Sequence, residues 1–300
     1  MFLGIFLGLA AAFSHSISFV SRKRGLEEAD YKLFILVRLV LGVALSGTLL
    51  WTVGNGFGGL TLKVTAPFAL SGAFAGGLGA LISTTLAIHH IGASRAHSIT
   101  SASPLVTAFV EIVFLGAILS LPLILGTILV VIGAALISFF LHQNEGEEDK
   151  KSTTRRPLLG LSMALYTVLA IGVQLAVHKW GLDMGATPLQ GLFIHFLTAS
   201  FLFAIYYVAR RPDLELEKLA SLRQTGSFLV GGVAMAILPL FSLFAMTHLS
   251  ATVVSALMRV APLFTVALTY FFLRGIERVN WKVGVSTCLI VTGAILVSIN

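Results

Sequence analysis

The feature that most constrains this chain is a succession of apolar stretches that follow one another along almost the whole sequence. Each is roughly 20 residues long, the length that a helix rising 1.5 Å per residue needs to cross a hydrocarbon layer about 30 Å thick. Only 11% of the residues are charged, whereas 57% are hydrophobic. A soluble domain carries about 25% charged residues to solvate its surface, so the surroundings of this chain must be largely lipid.

The stretches predict an all-α polytopic membrane protein with about ten transmembrane helices. Continuous apolar runs indicate helices, because a helix satisfies its backbone hydrogen bonds within the same segment. The short links at 89–92 and 247–250 predict antiparallel neighbours on either side of them. The predicted spans are residues 2–20, 33–53, 66–88, 94–115, 119–141, 157–177, 189–209, 226–247, 251–273 and 281–299.

Basic residues clustered in four loops account for most of the net charge of +7. With ten spans, all four loops lie on one side of the membrane, and such a bias marks the cytoplasmic side. We therefore expect a multi-pass protein of the plasma (inner) membrane with both termini outside. The lipid bilayer is a sufficient partner for these charges, so no nucleic-acid partner is predicted. The four loops carry Arg22, Lys23, Arg24 and Lys32; Lys150, Lys151, Arg155 and Arg156; Arg210, Arg211, Lys218 and Arg223; and Arg274, Arg278 and Lys282.

One strongly polar segment, residues 142–156, divides the chain into halves 1–141 and 157–300 and has the composition of a flexible linker. The halves resemble each other when one is shifted by 158 residues. Each half contains five predicted spans, so the two must be inverted relative to each other, as in many secondary transporters. The aligned identities include Ala87 with Ala245, His90 with His248, Ala93 with Ala251, Pro104 with Pro262 and Thr107 with Thr265.

Matching stretches in the two halves, 86–105 with 126–133 and 245–263 with 275–294, are similar to the EamA branch of the drug/metabolite transporter superfamily. Arg38 also resembles a basic residue that is common at this place in the family. The likeness covers essentially the whole chain. It implies a membrane carrier built from two five-helix repeats, which is not an enzyme and needs no cofactor.

Glu111 is the one acidic residue of the chain inside a predicted span. An ionisable group at membrane depth costs at least about 2.5–3.5 kcal/mol on insertion scales, which makes it a functional hypothesis by default. If Glu111 faces a cavity, it would couple transport to protons or another cation. Alternatively, it lies near a helix end in contact with water or a backbone group. The related small multidrug exporters couple through an acid in their first helix, where this chain has His15.

Arg259, about eight residues into the ninth span, is the deepest basic residue. Arginine keeps its charge, so Arg259 needs a partner such as Glu111, a carbonyl group or an anionic group of a substrate that it can grip bidentately. Arg38 either faces the cavity as well or extends its guanidinium to the membrane interface.

Neutral and titratable side chains complete the predicted binding site. His15 and His195 are the histidines that we expect at the cavity, and His195 aligns with Arg38. Each of the neutral residues either bonds to a substrate or to a neighbouring helix. No set of histidines supplies a third metal ligand, so no metal site is predicted. The neutral residues are Gln174, Ser98 and Tyr166.

Two other classes of membrane protein are alternatives to a carrier. An intramembrane aspartyl protease needs two aspartates within spans, yet all four aspartates fall in predicted loops, and neither a nucleophile elbow nor a phosphate-binding loop is present. A scaffold without transport activity would not need two related halves with polar residues facing a common centre. We therefore predict a secondary transporter of small organic metabolites that works by alternating access.

Basic side chains outnumber acidic ones within the spans, which favours substrates that bear a carboxylate, such as amino acids. A phosphorylated or nucleotide-linked sugar is the alternative, and a lipophilic cation is the third choice. Export, coupling to protons, and a monomeric or homodimeric state are left open by the sequence.

Overall fold

A computed structural model describes residues 1–25, 31–54, 56–76, 79–91, 93–118, 120–141, 156–210, 222–272 and 281–299. The predicted linker lies outside these residues except for Arg156, as do parts of the basic loops. In the described ranges every regular element is a helix. They are α1 (Phe2–Gly25), α2 (Tyr31–Thr52), α3 (Leu62–Ser71) with a π-helical turn (Gly72–Gly76), α4 (Ala80–Ile91), α5 (Ala93–Thr100), α6 (Ser103–Leu115), α7 (Leu121–Leu141), α8 (Pro157–Asp183), α9 (Pro188–Arg210), α10 (Leu222–Met246), α11 (Ala251–Met258), α12 (Ala261–Phe272) and α13 (Trp281–Ser298).

Helix length and composition confirm the all-helical membrane fold. In the part of the chain that the structure describes, five helical stretches are long and apolar enough to cross a membrane, and shorter apolar helices of 10–17 residues accompany them. The number of ten crossings stays a prediction. The five stretches are Phe34–Thr52, Ser98–Leu115, Pro157–Asp183, Pro188–Ala209 and Leu229–Met246, and the shorter ones are Phe2–Ser18, Leu121–Leu136, Ala251–Thr265 and Gly284–Ser298.

The fourth and ninth predicted spans are each interrupted, and they are interrupted at equivalent positions. α5 ends at Thr100 and α11 ends at Met258, exactly one repeat length of 158 residues apart. Pro104 and Pro262 follow each break at the second residue of the next helix, where a missing backbone N–H costs nothing. The internal repeat found in the sequence therefore also holds for the positions at which these four helices begin and end.

The third predicted span is also broken, but its counterpart in the second half is not. α3 passes into the π-helical turn before α4 begins, whereas α10 continues through Pro239 without interruption. The turn lies directly on the backbone of α9, because a Cβ atom at Gly72 would overlap the carbonyl oxygen of His195. The two halves thus share a plan and differ where the first half touches α9.

The halves are interleaved rather than set side by side. α1 packs along α10, α2 against α9, α4 and α6 against α8, and α7 along α13. The main buried cluster joins both halves through aromatic rings, and many large apolar side chains point outward, as expected for a surface in lipid. The rings in the cluster are those of Phe34, Phe68, Phe196 and Phe203.

α7 and α13 approach each other at a pair of glycines. A Cβ atom at Gly126 would lie 2.8 Å from the carbonyl oxygen of Gly293, and a Cβ at Gly293 would lie 2.7 Å from that of Gly126. Small residues of this kind let helix backbones touch in a membrane, where close packing contributes much of the association between helices.

This contact gives a test of the fold. Gly293→Ala should destabilise the protein by about 1–3 kcal/mol, because the added methyl group has no room against α7. The matched control is Gly284→Ala on the same helix, where an added Cβ meets nothing within 4 Å. Thermal unfolding in detergent should therefore show a lower melting temperature for Gly293→Ala alone. Equal melting temperatures for the two variants would rule out the α7–α13 contact.

Candidate functional site

A cavity lies between the two halves where the broken helices come together. It encloses about 1000 Å³ of space between atoms, a volume that includes the open solvent at its mouth. α1, α2, α4, α8 and α10 contribute to its wall, as do the breaks near Thr100 and Arg259. Four of the residues predicted for the site line it, namely His15, Arg38, Gln174 and Arg259.

Arg259 lies at the break between α11 and α12. It connects this break to the one between α5 and α6 in the other half. Its Nη2 donates a hydrogen bond to Oγ of Ser103, the first residue of α6, at 2.6 Å. Its Nε is buried without a hydrogen-bond partner, and none of the described carboxylates forms an ion pair with it. The guanidinium therefore keeps unused donor capacity at the wall of the cavity.

Arg38 is buried within the protein, with 6% of its surface exposed, and does not extend to the membrane interface. Its Nη1 donates to the carbonyl oxygen of Gly76 at 3.2 Å, at the end of the π-helical turn. The guanidinium also lies 6.0 Å from the centre of the Phe196 ring, within the range of a cation–π interaction. The interruption of the third span thus supplies a carbonyl that helps to hold Arg38 at the cavity.

Apart from the two arginines, the described part of the wall is formed by His15 and by uncharged side chains. Among the lining residues that the structure describes there are two arginines and one histidine, and none is aspartate or glutamate. The cavity is therefore a cationic site whose wall also carries hydroxyl, amide and apolar side chains. The hydroxyls belong to Thr84, Thr100, Thr167 and Ser242, and the larger apolar side chains to Ile171, Leu175, Met235, Leu238, Pro239 and Met258.

Three residues predicted for the site do not line the cavity and bond to neighbouring helices instead. Ser98 donates to the carbonyl oxygen of Ala135 on α7 at 2.9 Å, and Tyr166 donates to that of Phe74 at 3.2 Å. His195 is fully buried against α3. For Ser98 and Tyr166 the structure favours the helix-to-helix bonds that the sequence left open, whereas His195, which we expected at the cavity, is buried between helices.

Glu111 also lies outside the cavity wall, and its carboxylate binds the N-terminus of α11. It is 2% exposed and accepts hydrogen bonds from the backbone N–H groups of Ala251 and Thr252 at 2.7 Å each and from the Thr252 hydroxyl at 2.5 Å. A carboxylate is favourable there because the first N–H groups of a helix have no partner within it. Glu111 thus ties α6 of the first half to α11 of the second.

Three further polar residues make contacts at or beside the site. Ser103 was passed over although it precedes the matched Pro104, and that position could have indicated its role. Ser16 donates to the carbonyl oxygen of Ala261 at 2.7 Å and so ties α1 to the second break. His178 was overlooked because the sixth span was predicted to end at 177, whereas α8 continues to Asp183.

The fold and the cavity define a helical membrane protein whose two related halves enclose a central polar site. A family model described as the EamA-like transporter family matches the chain twice, at residues 2–139 and 158–299. The chain therefore belongs to the EamA-like transporter family, and the resemblance seen in the sequence is confirmed. Its class is that of multi-pass membrane transporters of small molecules.

One solved structure, described only as a crystal structure of a protein, superposes on the chain with a TM-score of 0.76. The match covers 99% of this chain and 97% of the other at 14% sequence identity, so it concerns the fold alone. The comparison with curated proteins finds no match.

The cap on α11 gives a test of the role of Glu111. Glu111→Gln puts an amide NH₂ against hydrogen-bond donors and should lower stability by about 1–3 kcal/mol or more. Thr252→Val removes one of the three donors and should have a smaller effect. Asp183→Asn, at an exposed ion pair with Lys179, is the control and should change little. Thermal unfolding in detergent measures all three, and a wild-type melting temperature for Glu111→Gln would contradict the cap.

Proposed function

We propose that this protein is a secondary transporter of small organic anions, in particular of carboxylate-bearing metabolites such as amino acids, and that it works by alternating access. The observation that carries the proposal is the placement of Arg38 and Arg259 on one cavity between the halves, among described lining residues that include no carboxylate. Buried charge is expensive in a membrane protein, and where it faces a cavity it marks a substrate or ion pathway.

The contacts of Arg259 support carboxylate binding. A guanidinium presents five N–H donors in a planar fork that matches a carboxylate bidentately. The Ser103 hydroxyl accepts a hydrogen bond from one of these donors, and the unpartnered Nε is another donor. A carboxylate at this position would bring an opposite charge and could accept two parallel N–H bonds, which the neutral Ser103 hydroxyl cannot do.

The rest of the wall suits the remaining parts of an amino acid. Gln174 and hydroxyls such as that of Ser242 offer neutral acceptors for an ammonium group, and apolar side chains such as Met235 and Leu238 suit an aliphatic or aromatic substituent. The absence of an acidic side chain from the described lining disfavours a lipophilic cation, which was the third choice from the sequence.

Polar contacts between the halves support alternating access with this conformer closed at one end. Gln190 on α9 donates from Nε2 to the carbonyl oxygens of Gly56 and Gly58, at 3.0 Å each. In the predicted ten-span topology the cap of Glu111 on α11 lies toward the same end of the bundle, because α6 ends and α11 begins on the membrane side where α9 begins. The charge bias assigns this end to the outside, so we infer a conformer closed toward the outside. We assign Glu111 to this closure and not to the coupling role that the sequence indicated.

Ligand-induced stabilisation tests the anion site. The probes are the standard L-amino acids, their C-terminal amides and glucose 6-phosphate, added to purified protein during thermal unfolding. We expect at least one amino acid to raise the melting temperature and its amide not to do so. Arg259→Gln should weaken that binding by about 2–5 kcal/mol, which is roughly 30-fold or more. Lys179→Gln, which removes a surface cation paired with Asp183, should keep it.

Three results would contradict the proposal. They are the lack of a shift with every carboxylate, equal shifts with acids and amides, and an unchanged affinity in Arg259→Gln. A shift with glucose 6-phosphate in place of the amino acids would instead favour the phosphorylated-sugar alternative.

A further inference from the structure

A buried hydrogen-bonded cluster lies beside the cavity and is not used by the anion site. Its centre is Ser71, the last residue of α3, whose Oγ is 2.7 Å from Nε2 of His178 on α8 and 2.9 Å from Nδ1 of His195 on α9. Ser71 Oγ also donates to the carbonyl oxygen of Phe68 at 2.8 Å. Both imidazoles are almost completely buried, at 1% and 0% exposure.

The protons in this cluster can be counted. A hydroxyl has one proton, the Phe68 carbonyl can only accept, and an N–H at Nδ1 of His178 or Nε2 of His195 would have no acceptor. The arrangement that pairs every donor therefore has Ser71 donating to Phe68 and accepting from both histidines. Each imidazole therefore uses its single N–H for Ser71. The remaining ring atoms, Nδ1 of His178 and Nε2 of His195, are the two that are buried without a partner. The cluster thus fits two neutral histidines, and an N–H group formed by a further proton would have no hydrogen-bond acceptor there.

The cluster joins the two halves of the protein. Ser71 belongs to the first half, whereas His178 and His195 belong to the second. The rings are fixed by their neighbours, because Phe68 stacks on His178 at 5.6 Å and the two imidazoles meet edge to face at 5.2 Å. His178 is five residues from the end of α8, so the cluster lies between the cavity and the end that is closed by Gln190.

We propose that His178 and His195 are the proton-binding site of this transporter, and that a proton there releases Ser71 and opens the adjacent end. The proposal rests on the proposed transport function. A proton on either imidazole adds an N–H without an acceptor and a positive charge in an apolar pocket. The ring must then turn toward water or another acceptor, which breaks its bond to Ser71 and frees α3 from α8 and α9.

The charged surroundings favour this response to a proton. Arg38, from α2, interacts electrostatically with His195, so a second positive charge there is repelled. None of the described residues within the cluster is acidic, so nothing there stabilises an imidazolium ion. The other titratable residues on the packed helices in the described ranges lie away from the cluster along the chain. They are Tyr31 and Lys32 at the start of α2, the exposed Lys63 on α3, Tyr166 and the paired Lys179 and Asp183 on α8, and Tyr206, Tyr207 and Arg210 toward the end of α9.

The test is a distance measurement that needs no substrate. Spin labels are attached at Lys63→Cys on α3 and Met184→Cys after α8, both exposed positions, in full-length protein with Cys288→Ser. Pulsed electron–electron double resonance in liposomes then measures the distance between the labels at about pH 8 and at about pH 5, the range in which histidines change charge. We expect one distance at the higher pH and an additional, longer distance at the lower pH.

Isosteric variants identify the group that responds. His178→Gln and His195→Asn each place an amide N–H where the imidazole N–H was, so the bonds to Ser71 are kept but cannot titrate. The double variant should show the short distance at both pH values. Ser71→Ala removes the shared acceptor and should show the longer distance at both. His248→Asn, at an exposed histidine near the start of α11, is the control and should respond as the wild type does.

The outcomes separate this proposal from the proposed function. A pH response that persists in the double variant, or its absence from the wild-type protein, would overturn the proton site and leave carboxylate binding untouched. Conversely, a failure of amino acids to bind would overturn the anion site without changing the spin-label distances. A short distance in Ser71→Ala at both pH values would also contradict the role given to the cluster.

Discussion

A guanidinium that keeps its charge at membrane depth is the constraint on which the rest of this structure depends. Arg259 cannot face lipid, so the helix that carries it must be enclosed by others, and its break must find polar partners. Both needs are met by the equivalent break in the other half, where the Ser103 hydroxyl accepts its hydrogen bond.

A few polar bonds join the halves, and they stand out against apolar packing that is otherwise close. The bonds made by Glu111, by Gln190 and by Ser71 all lie on the side of the junction where α11 begins and α8 ends. Each of these contacts consists of a few hydrogen bonds, and a water molecule or a proton could take the place of one of the bonded groups. Such bonds can hold one conformer and be exchanged for another without rebuilding the core, which alternating access between two related halves requires.

The sequence was enough for the helical membrane fold, the doubled organisation and the family, because apolar length and repeated motifs are local properties. It also pointed to four of the residues that line the cavity, because arginine, histidine and amide side chains are rare within spans. Ser98, Tyr166 and His195 carried the same signal but bond to other helices, because residue type does not reveal the direction of a side chain. The cap by Glu111 depends on a contact 140 residues away along the chain. His178 was missed because hydropathy ended its span too early.

The most direct test of the central claim is an experimental structure of the protein with the amino acid that stabilises it most. The cationic cavity predicts that a carboxylate oxygen lies about 2.8 Å from a guanidinium nitrogen of Arg259 or Arg38, as in charge-assisted hydrogen bonds elsewhere. An amino acid bound in the cavity with its carboxylate away from both arginines, or bound outside the cavity, would contradict it.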